Sequence, residues 1–187
     1  MSSIEEKRVY ADHEAGETLL VAAPLGVLEV GVVGDTVGEF GVAHRCTARD
    51  VAAGGTVAVA TDEDVLLGSG FEPTGFGPAV AVTTDPLVAA GPDGRIARRE
   101  DGGWVTLGTV GEARAIDGEL LAAADGVYRV GDGLDRAGLD DARDVAAAGP
   151  FAATAAGVFR LGNGWLAELD ADERVVAAGG GRAHAAT

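Results

Sequence analysis

The sequence predicts an all-β protein, a β-propeller of four-stranded blades with about six units, of which the last is incomplete. Three observations predict it. One segment returns about five times along the chain, the period is roughly 30 to 37 residues, and each period holds four short apolar runs separated by turns. One period therefore carries one four-stranded antiparallel sheet, and the 187 residues are expected to form a single propeller domain.

The clearest copy of the repeat is residues 143–169. Its first apolar run, 145–148, is followed by the Gly149-Pro150 turn and a second run at 151–154. A third run at 158–161 and a fourth at 165–169 are separated by Gly162-Asn163-Gly164, residues that tolerate positive φ. The residue closing the second run recurs at Pro24, Thr61, Gly91, Ala124, Thr154 and Thr187.

Other repeat architectures fit this pattern less well. Leucine-rich and ankyrin solenoids need apolar residues at i, i+3 and i+4 in every unit, and no such helical period is present. A propeller blade buries both of its faces against neighbouring blades, so its strands read as continuous Ala, Val and Leu runs. The runs of this chain have that character.

Each unit opens with an inner run, expected at 8–11, 49–53, 79–83, 114–116, 145–148 and 174–178. The sixth unit has a second run at 183–187 but no third or fourth run. Such a unit leaves unpaired backbone groups along one strand edge, which invites a partner. We therefore expect either a longer natural chain or self-association through the incomplete last blade, with a tightly closed ring of five blades as the alternative.

The composition limits the class of protein. Hydrophobic residues make up 47% and charged residues 24%, which is typical of globular chains. Cys46 is the single cysteine, so no intramolecular disulfide is expected, and the charged start of the chain has no apolar segment typical of export. No apolar run reaches the roughly 18 residues of a membrane span. A cytoplasmic protein without membrane contact is expected.

The charge is unusual. The net charge is −16, and the basic residues are one lysine, Lys7, and thirteen arginines. An acidic surface poor in lysine indicates salt adaptation, because at molar salt the Debye length falls to about 3 Å and self-repulsion disappears. The same charge disfavours nucleic-acid binding, which requires phosphate neutralisation.

Arginine recurs at the opening of the inner run in five of the six units, at Arg8, Arg49, Arg114, Arg143 and Arg174. Innermost strands line the central channel of a propeller, so these side chains could form a ring of positive charge at its mouth. The ring would bind a small anion. Acidic residues follow or precede each arginine closely, however, so the alternative is a repeated ion pair between adjoining blades.

Other candidate site residues are few. Phe71 and Phe76 lie in the least repetitive segment, 71–78, which is either a binding loop or a loop whose aromatic side chains fill the space beneath it. His44 and Cys46 are two apart, but a metal site needs three or four ligands, so no metal is expected. No catalytic residue and no cofactor motif is identified.

Two turns carry a resemblance. The turn at 101–104, Asp-Gly-Gly-Trp, resembles a degenerate Asp-box, the turn between the third and fourth strands of sialidase-like propellers, and 162–165 is a weaker copy. The repeats as a whole resemble a family of small β-propeller proteins from salt-loving archaea. That resemblance implies the fold, but it implies no particular activity, because propellers serve many functions.

Two functions follow from these observations. The first is a non-enzymatic module that binds a protein partner or a small anionic ligand. The second is a sialidase-like hydrolase or lyase with its site at the channel, which would need a tyrosine beside an acid on the channel wall. A close carboxylate pair or such a tyrosine at the channel favours the enzyme, and arginine–aspartate pairs favour the module.

Overall fold

The computed structural model describes residues 16–170, 172–179 and 182–187. Its regular structure consists of 21 β-strands in six antiparallel sheets, which confirms the predicted all-β propeller of about six units. The inner run expected at 8–11 lies outside the described residues. The described residues include no helix long and apolar enough to cross a membrane.

The strands follow one another as meanders, one sheet per repeat. Blade 1 contains β1 (Glu17–Ala23), β2 (Gly26–Val33) and β3 (Thr36–His44). Blade 2 contains β4 (Ala48–Ala53), β5 (Val57–Thr61), β6 (Val65–Leu67) and β7 (Glu72–Pro73). Blade 3 contains β8 (Ala81–Thr84), β9 (Leu87–Ala90), β10 (Arg95–Glu100) and β11 (Gly103–Thr109).

The second half of the chain repeats this order. Blade 4 contains β12 (Ala113–Asp117), β13 (Leu120–Ala123), β14 (Gly126–Val130) and β15 (Leu134–Gly138). Blade 5 contains β16 (Ala142–Ala146), β17 (Phe151–Thr154), β18 (Gly157–Leu161) and β19 (Trp165–Leu169). Blade 6 contains two described strands, β20 (Val175–Gly179) and β21 (Arg182–Ala186).

Successive blades pack face to face through separate apolar clusters. Val27 of blade 1 meets Val59 of blade 2, and Ile96 of blade 3 meets Leu121 of blade 4. Val158 of blade 5 meets Val176 of blade 6. Because each blade buries residues toward both neighbours, small apolar residues fill the strands, as the uninterrupted Ala and Val runs predict.

A glycine opens the next-to-last strand of blades 1, 4 and 5, namely β2, β14 and β18, and has a positive φ each time: Gly26 at 140°, Gly126 at 141° and Gly157 at 143°. Each lies against a carbonyl at the end of the last strand of its blade, that of His44, Leu139 or Leu169 respectively. A Cβ at any of these positions would overlap that carbonyl oxygen. The glycine is therefore required both by the backbone conformation and by the close approach of the two strands.

We expect Gly157→Ala to lower the free energy of unfolding by about 1–3 kcal/mol, because alanine is strained at this φ and clashes with the Leu169 carbonyl. The matched control is Gly41→Ala on β3, where an added Cβ meets nothing within 4 Å. Urea denaturation of both variants measures the difference. Equal midpoints for the two variants would contradict the assignment.

Candidate functional site: the central channel

The inner strands β4, β8, β12, β16 and β20 surround a central channel of about 820 Å³. Its wall carries both signs of charge, since arginines and aspartates from several blades line it together with Thr83 and Thr84. This is the location expected for the arginine ring. Arg49, Arg114, Arg143 and Arg174 all line the channel, while Arg8 lies outside the described residues.

A β-bulge places three of these arginines. The pairing register shifts between Ala48 and Asp50, between Ala113 and Ala115, and between Ala142 and Asp144, so that the residue in between is the extra one. The extra residues are Arg49, Arg114 and Arg143. A bulge re-aims a side chain relative to the regular alternation of a strand. The third blade carries Val80 at the corresponding place, which explains why it adds no cation.

Three arginines converge at one mouth of the channel. Arg114, Arg143 and Arg174 line a shallow cavity of about 350 Å³, and among the described residues Asp141 is the one other residue of its lining. Three guanidinium groups thus lie together in a protein whose net charge is −16, and the carboxylates of Asp141, Asp172 and Glu112 pair with two of them. We call this cavity the arginine mouth.

Two of these arginines tie adjoining blades together. Arg114 donates to the Asp141 carboxylate at 2.6 Å and to the Ala142 carbonyl at 3.1 Å, so blade 4 is tied to blade 5. Arg143 forms the same contacts to Asp172 and to the Glu173 carbonyl at the start of blade 6. The hydrogen bond from Arg114 lowers the pKa of Asp141. The expected inter-blade ion pair is therefore present at Arg114 and Arg143.

Arg49 and Arg174 differ from them. Neither has an acidic side chain within salt-bridge distance among the described residues. For Arg49 the sequence gives the reason, because Pro78 occupies the place in blade 3 that Asp141 and Asp172 hold in blades 5 and 6. Both side chains are exposed and face the channel, so they are available to a ligand.

Carboxylates line the channel beyond the arginine mouth. Asp50 accepts hydrogen bonds from Val51 N–H at 2.8 Å and from Val82 N–H in the next blade at 2.9 Å. Asp144 does the same with Val145 and with Val176 in blade 6, each at 2.9 Å. Asp117 accepts from Ala147 N–H of the next blade at 2.7 Å. These aspartates join adjacent inner strands.

Burial raises the pKa of Asp50 and of Asp144, and the backbone hydrogen bonds only partly offset it. The negative charge of Asp117 raises the pKa of both further, and Asp50 also raises that of Asp144. The three carboxylates thus repel one another across the channel. The sequence places Asp50 and Asp144 directly after Arg49 and Arg143, which indicated ion pairs with the arginines. Their hydrogen bonds to backbone N–H groups, and the position of Asp117 on the channel wall, were not predicted.

The segment 71–78, which carries Phe71 and Phe76, lies apart from the channel. Phe76 is 6% exposed, with the Trp104 ring at 4.8 Å and the Arg95 guanidinium over its face at 4.1 Å. The Asp64 carboxylate orders the loop by accepting N–H groups of Gly75, Phe76 and Gly77. Phe76 therefore fills the space beneath its loop and is closed to a ligand.

Phe71 lies in a different cavity. It stacks on His44 with ring centroids 4.7 Å apart, and a cavity of about 460 Å³ is lined by both residues, Cys46 and the acidic residues 62–64. Burial raises the pKa of the Cys46 thiol, and Asp62 raises it further. The thiol is consequently a poor nucleophile at neutral pH.

The tyrosine–acid pair of the described residues is also remote from the channel. The Tyr128 hydroxyl donates to Asp125 at 2.8 Å, but neither residue lines the channel. Burial raises the pKa of Tyr128, and the bond to Asp125 adds to that effect. Tyr10 lies outside the described residues. The pair that would favour a sialidase-like reaction is therefore not found on the described channel wall.

Comparisons with known proteins agree with the fold. A family model described as "Beta-prop_HVO_0234-like, beta propeller" matches residues 3–187. No curated protein matches the chain. Among solved structures, the chain is similar to PorZ, a surface component of the type-IX secretion system of Porphyromonas gingivalis, with a TM-score of 0.60 and 14% identity over 81% of this chain. The similarity spans 24% of PorZ and shows a shared fold alone. With its model matched across nearly the whole length, this chain belongs to the HVO_0234-like family of beta-propeller proteins.

Proposed function

We propose that the protein is a non-enzymatic binding module of a salt-adapted cytoplasm, and that it binds a small carboxylate- or phosphate-bearing anion at the arginine mouth. The observation that carries the proposal is the convergence of Arg114, Arg143 and Arg174 on one cavity. Guanidinium groups bind carboxylate and phosphate oxygens through paired N–H donors, a geometry that a lysine cannot reproduce.

The ion pairs at the mouth support binding as well as stability. Asp141 and Asp172 hold Arg114 and Arg143 in fixed orientations, and a guanidinium with one pair of donors engaged keeps further N–H groups free. An anion that reaches the cavity therefore meets preorganised donors. Arg174 adds a third guanidinium with no acidic partner among the described residues.

The carboxylates of the channel limit how far the anion can enter. Asp50, Asp117 and Asp144 line the same channel, and their negative charge repels an anion that moves inward from the mouth. The ligand should therefore be short, or it should carry a cationic group that can reach these aspartates. A long polyanion fits poorly, in keeping with the net charge of −16.

The alternative of a hydrolase has less support. A general acid or base needs a carboxyl group free to exchange a proton with the substrate. Asp50 and Asp144 instead hold backbone N–H groups of two blades with both of their oxygens. The paired tyrosine, Tyr128, lies off the channel wall.

Calorimetric titration with inorganic phosphate, citrate and ADP at matched salt tests the proposal. We expect saturable heat with at least one of these anions, and binding at least ten-fold weaker in Arg143→Ala/Arg174→Ala. The matched control is Arg129→Ala/Arg160→Ala, which removes the same charge from two arginines paired on outer strands with Glu119 and Glu168. Absence of saturable heat in the wild type, or equal weakening in both double variants, would refute anion binding at the mouth.

A further inference from the structure

The inner strands arrange the charges of the channel in a fixed order. Arg114 and Arg143 are the second residues of β12 and β16, so later residues of these strands lie deeper in the channel. Asp144 directly follows Arg143, and Asp117 comes three residues after Arg114. At about 3.3 Å per residue, these aspartates lie roughly 3–10 Å beyond the arginines along the strands. The channel therefore presents guanidinium groups at its mouth and carboxylates further in.

The deeper carboxylates have no cationic partner among the described residues. Asp50, Asp117 and Asp144 form no salt bridge there, whereas Asp141 at the mouth pairs with Arg114 at 2.6 Å. Burial raises the pKa of Asp50 and of Asp144, and the charge of Asp117 raises both further. A cation placed beside these carboxylates would relieve their mutual repulsion.

The carboxylates can accept further hydrogen bonds. Asp117 is exposed, lines the channel and accepts one N–H group, that of Ala147. Asp144 accepts one N–H group on each oxygen, from Val145 and from Val176. A carboxylate offers about four lone-pair sites, so each of these side chains keeps acceptor capacity. An ammonium or guanidinium group can therefore bind here while the hydrogen bonds between the blades are kept.

From these observations we infer that the ligand is a small linear zwitterion, whose anionic end lies at the arginine mouth and whose cationic end reaches Asp117 and Asp144. The inference rests on the proposed function and specifies the charge of the second end of the ligand. A simple anion that enters the channel is repelled by the deeper carboxylates. A cationic end turns that repulsion into attraction, and it leaves the anionic end at the guanidinium groups.

Other cations fit the channel less well. No three potential ligand side chains of the described residues are grouped so that they could hold a metal ion. A cation at these carboxylates should therefore be an organic one, which a single carboxylate can bind. A ligand with a positive charge alone would leave the guanidinium donors of the mouth unused, so one molecule that carries both charges uses the channel best.

The probe is 6-aminohexanoate, whose extended chain separates the carboxylate from the ammonium group by roughly 7 Å, about the reach of two extended residues. Its matched controls are hexanoate, which lacks the ammonium group, and hexylamine, which lacks the carboxylate. We expect calorimetric titration of the wild type, at matched salt and neutral pH, to show 6-aminohexanoate binding at least ten-fold more tightly than either control. This comparison needs no variant of the protein.

Asp117→Asn tests the inner end of the site. Asparagine keeps a carbonyl oxygen that can accept the Ala147 N–H group, so the variant removes the charge and retains the contact between blades 4 and 5. It should weaken binding of 6-aminohexanoate at least five-fold, and it should leave hexanoate binding unchanged or stronger, because a carboxylate that repels the anion is lost. The matched control is Asp135→Asn, an exposed aspartate on β15 outside the channel, which should change neither affinity.

The outcomes separate this inference from the proposed function. If hexanoate or phosphate gives saturable heat and 6-aminohexanoate binds no more tightly than hexanoate, the zwitterion is refuted and anion binding stands. Hexylamine that binds as tightly as 6-aminohexanoate would also refute it, because the cationic end would then bind without the arginine mouth. Equal weakening of 6-aminohexanoate and hexanoate by Asp117→Asn would do the same. If phosphate, citrate, ADP, hexanoate and 6-aminohexanoate all give no saturable heat, the proposed function itself fails.

Discussion

Replacing Asp50 with alanine is expected to lower the free energy of unfolding by about 2–4 kcal/mol. Each of the hydrogen bonds that the carboxylate accepts contributes about 1.5–3 kcal/mol, because the acceptor is charged. Removing the carboxylate also removes the cost of burying its charge, which offsets part of this loss. The carboxylate holds Val51 N–H and, in the next blade, Val82 N–H. Val82 is 1% exposed, so its amide would be left without an acceptor. Asp144→Ala should behave similarly, because Asp144 makes the equivalent contacts between blades 5 and 6.

The effect of Asp50→Ala on stability should depend on pH. Burial raises the pKa of Asp50, so the folded protein binds the proton more tightly than the unfolded chain does. The contribution of Asp50 to stability therefore increases as the pH falls from the folded pKa toward the unfolded value of about 3.9. The difference in the free energy of unfolding between wild type and Asp50→Ala should therefore increase as the pH falls through that range.

Chemical denaturation between neutral pH and about pH 4 measures this difference. The control is Asp135→Ala, an exposed aspartate on β15 that has no hydrogen bond among the described contacts, and it should leave the midpoint unchanged. If the difference in the free energy of unfolding decreased as the pH fell, Asp50 would be stabilised by pairing with a positive charge rather than by its hydrogen bonds to the two backbone amides.

The fold could be predicted from the sequence because its determinants are local. Glycine-rich turns recur at the repeat period, and they join the same strands in each blade, as at 101–103 and 162–164. The apolar runs between turns form strands in the expected order. The two described strands of the sixth unit also lie close to the runs expected at 174–178 and 183–187.

The site was harder to predict, because it depends on register and on contacts between blades. Sequence spacing placed Arg49, Arg114 and Arg143 on the inner strands, but their direction comes from a bulge that the local sequence does not mark. The role of Asp50 depends on an N–H group 32 residues later in the chain.

Raising the KCl concentration from low to multimolar should stabilise the protein and raise its Tm by roughly 5–10 °C, which for a chain of this size corresponds to a few kcal/mol. The net charge of −16 is a source of self-repulsion in dilute buffer. Asp50, Asp117 and Asp144 add to it inside the channel, where each acts on the pKa of another. Screening shortens the reach of this repulsion to about 3 Å at 1 M salt.

The ion pairs oppose this effect only weakly. Those of the described residues involve partly exposed side chains, such as Arg160 with Glu168 and Arg129 with Glu119. Exposed pairs of this kind contribute about 0–1 kcal/mol each, so their loss at high salt is small. The repulsion among carboxylates is spread over the whole surface, and its removal should dominate.

A charge-reduced variant separates screening from other effects of salt. Asp62→Asn, Glu63→Gln, Asp132→Asn and Asp135→Asn together remove four exposed negative charges from a net charge of −16. The variant should melt at a higher temperature than the wild type in dilute buffer, and its Tm should rise less steeply with KCl. A wild-type Tm that stays level or falls with KCl, or equal slopes for the two proteins, would show that the acidic surface does not make the fold dependent on salt.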